Sequence, residues 1–184
     1  MSTSTENYSP KTVIDFWKQA GPAKWFAKDD AFDTLFRDTF LDWHMAAARR
    51  ELDHWMADAQ GCLALLILLD QLPRNAFRGT AHMFATDSLA CMIARHSIDR
   101  GDLERIEPEL RSFLILPFEH AEDLALQNEA VRLCEALGSE TLKWAKIHRD
   151  IIADFGRFPH RNASLGRETT EAEAAFLKAG GFSG

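Results

Sequence analysis

Apolar residues recur at helical spacing along most of the chain, and no stretch shows the sustained alternation expected of a half-buried strand. In the first such segment Val13, Phe16 and Trp17 share one face. Ser9-Pro10 suits the start of this helix, because Ser is a favoured cap and Pro a favoured first residue. Gly21-Pro22 suits its end. The pattern predicts an all-α protein.

Further helices are predicted on the same grounds, as apolar stripes bounded by acidic, Gly or Pro residues. Their approximate ranges are 29–50, 51–56, 62–69, 86–100, 107–118, 122–137, 140–155 and 171–179. Pro117 is expected to kink or divide the helix that contains it. Gly156 is well placed to end the helix before it.

Cys62–Leu69 is the longest apolar run, with eight residues. It consists mainly of Leu and Ala with one β-branched residue, a composition that favours a helix over a buried strand. A helix that is apolar on all sides needs neighbours on all sides. We therefore predict antiparallel helical hairpins, seven to nine helices in all, around a central buried helix that Pro73 ends.

The length of 184 residues is typical of one domain, which we place at residues 10–184 after a disordered tail at 1–9. The formal net charge of −7 argues against binding to nucleic acid or anionic lipid. An apolar run of eight residues is too short to cross a membrane, which needs about 20. The three cysteines form no CxxC pair, which is typical of free thiols in a cytoplasmic protein.

Asp70-Gln71-Leu72-Pro73-Arg74-Asn75 follows the central helix and is rich in polar residues. Asp70 would lie at the negative end of the helix dipole and out of water, so it needs a partner. Arg74 is four residues on and could supply one, while Gln71 and Asn75 add further donors and acceptors. These residues either tie the helix end to the loop opposite or form the floor of a ligand pocket.

The segment Glu119-His120-Ala121-Glu122-Asp123 places four ionisable groups in one turn. Glu119 and Glu122 are three residues apart, so on a helix they would project from one face. Such carboxylates could share a proton, bind a metal or face an arginine. Because the chain lacks the paired Glu-x-x-His pattern of di-metal bundles, we predict a solvated acidic turn, and neither a metal nor a cofactor.

Two histidines differ in their predicted surroundings. His148 is four residues from Trp144 and from Ile152, so it lies on or beside an apolar face. There it would be a hydrogen-bonded core residue more often than a catalyst, although it remains a ligand-binding candidate. His44 has the pattern of an ordinary residue on a helix surface.

The loop from Arg157 to Gly166 carries further polar candidates. Arg157, His160, Arg161 and Asn162 could together hold a phosphate or a carboxylate, because guanidinium pairs with such anions through two hydrogen bonds. The arginines could equally pair with Asp70 and Glu119 and fix the C-terminal part to the bundle. Both interpretations stay open at the level of the sequence.

These blocks, together with Asp15-Phe16-Trp17, Trp25-Phe26 and Phe176-Leu177, resemble an uncharacterised bacterial family known as domain of unknown function 924. The resemblance spans nearly the whole chain. It implies an all-helical, tetratricopeptide-like fold. It implies no reaction, cofactor or substrate.

Two classes of function are compatible with these features. A tetratricopeptide-like fold predicts a binding module with a groove for a peptide or protein partner. Convergence of the polar blocks in one pocket would instead indicate a small-molecule enzyme or sensor, with an Asp/Glu/His/Arg site for a small anionic ligand. The distance between those blocks in the folded chain decides which class has structural support.

Overall fold

The computed structural model describes residues 8–183, and these are all helix, turn or loop. The predicted disordered tail, 1–9, lies mostly outside this range. The α-helices are α1 Pro10–Ala20, α2 Pro22–Trp25, α3 Asp30–Ala48, α4 Ala59–Leu66, α5 Leu72–Ala76, α6 Asp87–Asp99, α7 Leu116–Glu119, α8 Leu124–Cys134, α9 Ser139–Phe155 and α10 Glu171–Lys178. The all-α class is confirmed, but the described part of the chain contains ten α-helices instead of seven to nine.

Helix α4 lies at the centre of the core, as the apolar run predicts. All side chains from Cys62 to Leu69 are buried, and α4 packs against α1, α6 and a 3₁₀ turn at Asp53–Ala57. Gly61 makes the last contact possible, since a Cβ there would lie 1.9 Å from the carbonyl oxygen of Trp55. A side chain at this position would push α4 away from the turn.

The prediction that Pro73 ends the central helix is wrong. Between α4 and α5 the backbone passes through one π turn, Ile67–Gln71, and Pro73 occupies the first turn of α5. Proline has no N–H to donate to the preceding turn, and the π turn accommodates one extra residue. The helical path therefore continues through Pro73.

Side chains of α3, of α5 and of the residue before α6 donate hydrogen bonds to the backbone carbonyls of this π turn. The oxygen of Leu68 accepts from His44 Nδ1 at 2.9 Å, and that of Leu69 accepts from Thr86 Oγ1 at 2.5 Å. The oxygen of Asp70 accepts from Arg74 Nη1 at 2.7 Å. Buried carbonyls need such partners. The irregular turn is therefore stabilised by two side chains distant in sequence, His44 and Thr86, and by the nearby Arg74. His44 is 0% exposed, and its prediction as a surface residue is wrong.

Three further boundaries differ from the predicted ones. The segment predicted as a helix at 107–118 is a 3₁₀ helix, Pro108–Leu114, followed by α7, with Pro117 in the first turn of α7. Helix α8 begins at Leu124 because the Asp123 carboxylate caps the amides of Ala125 and Leu126. Glu122 therefore precedes the helix. The short helix at 51–56 is the 3₁₀ turn described above.

The C-terminal part packs around a small second core. Ile151 and Ile152 of α9 and Phe158 form this core, against which Phe155 and Phe176 lie. Gly156 ends α9 in the left-handed conformation, φ 69°, as predicted. This arrangement brings the loop after α9 back to the end of the central helix.

Candidate functional site

Polar residues from distant parts of the chain meet beside the π turn. Together they form what we call the central polar cluster, which consists of Asp70, Arg74, Asp87, His120 and Arg161. Asp70 belongs to the π turn and Arg74 to α5, so the irregular backbone positions both. π turns within helices are frequent at functional sites. Residues from three of the predicted blocks, 70–75, 119–123 and 157–162, thus meet in space.

Asp70 and His120 form a buried pair at the centre of this cluster. Asp70 is 1% exposed, and its Oδ1 lies 2.8 Å from His120 Nδ1, while Gln71 Nε2 donates to Oδ2 at 2.6 Å. Burial alone would raise the pKa of Asp70, but the charges of Arg74 and His120 and these hydrogen bonds hold it below its usual range. Burial and the nearby Arg74 charge lower the pKa of His120 to about 4. At neutral pH a neutral imidazole donates its Nδ1 proton to a carboxylate.

The other nitrogen of His120 is left free by this arrangement. Its Nε2 makes no hydrogen bond to any residue from 8 to 183. Because the Nδ1 proton is committed to Asp70, Nε2 carries a lone pair. An imidazole held in one tautomer by a carboxylate can accept a proton at the opposite nitrogen.

A chain of ion pairs extends from Asp70 through the two arginines. Arg74 Nη1 lies 3.2 Å from Asp70 Oδ1 and 3.1 Å from Asp87 Oδ1, and its Nη2 donates to Asp87 Oδ2 at 3.1 Å. Arg161 Nη1 reaches the same Asp87 Oδ2 at 3.3 Å. Asp87 therefore bridges two guanidinium groups. The i, i+4 pairing of Asp70 with Arg74 is found as predicted.

Glu119 and His148 lie beside this cluster. Glu119 is 1% exposed, with its Oε2 3.5 Å from His148 Nδ1 and its Oε1 accepting from the Cys134 thiol at 3.5 Å. His148 Nδ1 also bonds the carbonyl of Trp144 at 2.9 Å. The rings of His120 and His148 are 6.2 Å apart. The predicted solvated acidic turn is therefore wrong for Glu119.

His160 completes a group of three neighbouring histidines. Burial and the charge of Arg161 lower the pKa of His160 to about 4, with a smaller contribution from His148. Phe182 covers this group, its ring 4.7 Å from that of His148 and 5.3 Å from that of His160. Like His120, His160 is neutral at physiological pH.

The remaining predicted candidates lie elsewhere. Asn75 donates to Asp33 Oδ1 at 2.7 Å in the wall of a separate surface cleft of about 360 Å³. Arg157 pairs with Glu173, with Nε 2.6 Å from Oε1, and Asn162 donates to Oε2 of the same residue at 3.2 Å. These two contacts fix α10 to the preceding loop.

Glu122 diverges from Glu119 and does not share a face with it. Its Oε1 accepts from the amide of Phe158 at 2.8 Å, and Arg167 Nη1 lies 2.6 Å from its Oε2. The turn after α7 separates the two carboxylates, because Glu119 ends the helix and Glu122 lies beyond it. Glu122 instead holds the loop of residues 158–167.

Sequence reasoning missed four contributors to the site. Thr86 and Asp87 lie at the start of the helix predicted at 86–100, but the Thr86 hydroxyl donates to the carbonyl of Leu69 and Asp87 accepts from the arginines. Phe182 follows no periodic pattern, and neither does Phe84, whose ring centre lies 4.5 Å from the guanidinium carbon of Arg161. Local sequence carries no signal for such long-range contacts.

Among residues 8–183, no group of three or more His, Cys, Asp or Glu side chains is arranged to hold a metal ion. Cys91 lies close to the cluster, and burial together with Asp70 and Asp87 raises its pKa to about 12. Its thiol, which donates to the carbonyl of Pro117 at 3.1 Å, is therefore protonated at neutral pH.

Fold and site together define an all-α protein with a buried acid–histidine–arginine cluster at a π turn. The chain belongs to the family of bacterial proteins of unknown function DUF924, whose model matches residues 13–181. It is similar to a solved structure, the protein of unknown function ATU0120 from Agrobacterium tumefaciens, at 55% identity and a TM-score of 0.90. The alignment covers 92% of this chain and 97% of that one. No curated protein matches.

The comparisons leave the function unknown, since neither the family nor the structural neighbour has an assigned activity. In the described part of the chain no helix is both long and apolar enough to span a bilayer.

Proposed function

We propose that the protein is a small-molecule enzyme or sensor in which His120 exchanges a proton with a bound ligand. The observation that supports this proposal is the Asp70–His120 pair, with Nδ1 bonded to a buried carboxylate and Nε2 free. General acid–base groups in enzymes are commonly histidines oriented by a second residue. The neighbouring arginines add groups suited to an anion.

The chemistry of this pair follows from its charges. His120 Nε2 accepts a proton from a bound ligand, or from a water molecule as that water attacks the ligand. The Asp70 carboxylate, 2.8 Å away, offsets part of the cost that burial and the Arg74 charge impose on the imidazolium. The Nδ1 proton stays in place throughout. On release of the proton, Nε2 recovers its lone pair and the neutral imidazole is restored.

A peptide or protein partner for a tetratricopeptide-like groove stays a prediction with no assigned surface. The proposal places the protein in the cytoplasm, on the basis of its three free cysteines, which are typical of a reducing compartment.

An activated ester tests the proton-acceptor role without knowledge of the natural ligand. Cleavage of p-nitrophenyl acetate would be followed in the wild type and in His120→Gln. Because general-base assistance contributes 10²–10⁴-fold, we expect the variant to lose about 100-fold of the protein-dependent rate. His54→Gln is the matched control, since His54 is exposed and is not part of the cluster.

The rate of ester cleavage by His120→Gln, relative to the wild type and to His54→Gln, decides whether His120 is the proton acceptor. A similar rate for His120→Gln and the wild type would rule out His120 as the proton acceptor. Thermal unfolding of each variant separates a loss of chemistry from a loss of fold.

A further inference from the structure

The guanidinium of Arg161 is only partly used by the protein. Arg161 is 6% exposed, and its hydrogen bond to Asp87 at 3.3 Å involves Nη1 alone. Its Nε is buried without a hydrogen-bond partner among residues 8–183, and Nη2 makes no hydrogen bond to those residues either. Buried donors are normally paired, so an unpaired edge is a costly arrangement.

Two phenyl rings fix the plane of this group. The central carbon of the guanidinium lies 4.4 Å from the ring centre of Phe158 and 4.5 Å from that of Phe84. Such cation–π contacts stabilise the charge without using any of its hydrogen-bond donors. The Nε–Nη2 edge is thus held in a defined orientation.

Among residues 8–183, Arg161 forms one ion pair, and it shares that carboxylate with Arg74. Arg74 contacts both Asp70 and Asp87, and Glu122 is paired with Arg167. The distance from Arg161 Nη1 to Asp87 Oδ2 is 3.3 Å, longer than the distances from Arg74 to Asp70 and to Asp87. Burial and the repulsion from Arg74 lower the pKa of Arg161 to about 10, which still leaves it protonated at neutral pH.

We infer that the Nε–Nη2 edge of Arg161 binds the carboxylate or phosphate group of the ligand through two parallel hydrogen bonds. Both groups present the paired oxygens that match a guanidinium edge. A bound oxyanion would satisfy the buried Nε. His160 Nδ1, on the preceding residue, is likewise buried without a hydrogen-bond partner among residues 8–183.

This inference rests on the proposed function, because it names the class of ligand that the same cluster would take. Arg161 would hold the anionic group, and His120 would exchange a proton elsewhere on the molecule. Arg161 is on this view a binding residue, and the acid–base step does not involve it.

Titration with simple anions tests the inference. Sodium acetate and sodium phosphate would each be added at constant ionic strength with chloride, and the melting temperature of the protein recorded. A specific anion stabilises the folded state by mass action, so at ten times its Kd we expect a saturable rise of about 3 °C. Whether acetate or phosphate gives the rise identifies the group that binds.

Two variants separate the site from general salt effects. Arg161→Lys keeps the charge but loses the flat paired donors, and we expect at least about tenfold weaker anion binding. Arg149→Lys is the matched control, since Arg149 pairs with the exposed Asp150 on the surface of α9. An equal rise in Arg161→Lys, or no rise with either anion in the wild type, would overturn the inference.

A second measurement covers the case in which Arg161→Lys does not fold. The Nε–H resonance of Arg161 in the wild-type protein should shift during the same titration, and an unchanged resonance would contradict binding. Failure of this inference is distinct from failure of the proton-acceptor role. Anion binding should persist in His120→Gln, and ester cleavage needs no anion.

Discussion

At the scale of single residues, Asp70 joins the core to the site. It has contacts with His120, Gln71 and Arg74, and it lies in the π turn between α4 and α5. The sequence predicted the need for a partner and the partner at i+4, because both follow from burial and helical spacing. It could not predict His120, which is 50 residues away along the chain.

Replacement of Asp70 by Asn tests how much this charge contributes to stability. The amide would leave Arg74 and His120 without their buried carboxylate, and removal of one partner from a buried ion pair costs about 3–5 kcal/mol. We expect urea unfolding to show a loss of about 3 kcal/mol. A loss below about 1 kcal/mol would mean that Asp70 contributes no more to stability than a residue in an exposed ion pair, which would contradict this expectation.

Asp150→Asn serves as the control for that measurement. Asp150 is paired with Arg149, but its side chain is 63% exposed, so the pair is screened by water. Exposed pairs contribute about 0–1 kcal/mol. The free energy of unfolding should therefore remain close to that of the wild type.

At the scale of the elements, the π turn shows where local rules fail. The residue before proline is disfavoured in a helix, which predicts a break at Leu72. The break does not occur because His44 of α3 and Thr86 at the start of α6 donate to the carbonyls of the turn. Tertiary contacts thus override the preference of the residue before proline for a non-helical backbone.

Thr86→Val tests this account of the turn. Valine keeps the shape of the side chain but removes the hydroxyl that donates to Leu69, leaving a buried carbonyl without this donor. An unpaired buried polar group costs about 1–3 kcal/mol, and we expect a loss of stability in that range. Hydrogen exchange of the amides near residues 67–72 should rise as well.

Thr39→Val provides the matched comparison. The Thr39 hydroxyl also donates to a backbone carbonyl, that of Leu35, but at an exposed position where water can replace it. Its substitution should change stability by less than about 0.5 kcal/mol. Equal effects at both positions would mean that the π turn does not depend on Thr86.

At the scale of the whole molecule, the periodic pattern was sufficient for the class of fold and for the central helix. From Gly61 to Leu66 every residue of α4 is buried, because this part of the helix has no polar face. Convergence of the polar blocks could not be predicted, since it depends on how α6 packs against α4 and α7, and how α7 packs against α9. The small C-terminal core at Ile151, Ile152 and Phe158 was likewise set by packing.

The histidine group predicts acid sensitivity of the fold. In the folded state the pKa values of His120 and His160 are each lowered to about 4, whereas an unfolded histidine titrates near 6.5. Between these values the unfolded chain binds more protons, so stability falls as the pH drops from about 6.5 to about 4. Each histidine should contribute on the order of 2–3 kcal/mol to this loss.

Urea unfolding at several pH values checks this expectation. In His120→Gln, the loss of unfolding free energy between pH 6.5 and 4 should be smaller by the contribution of one histidine. This holds whatever the stability of the variant at neutral pH. His54→Gln should leave the slope unchanged, because His54 is exposed. A wild-type protein of constant stability across this interval would contradict the buried, neutral state of both rings.

The extra residue of the π turn also sets the direction in which the side chains of α5 point. Because of its extra residue, each later residue lies about 100° behind the position it would have in an uninterrupted α-helix. Beyond the turn, Arg74 faces Asp87 and Asn75 faces Asp33. Loss of a single residue between Ile67 and Gln71 would restore a regular helix and turn both side chains away from their partners. The site is therefore sensitive to deletions as well as to substitutions.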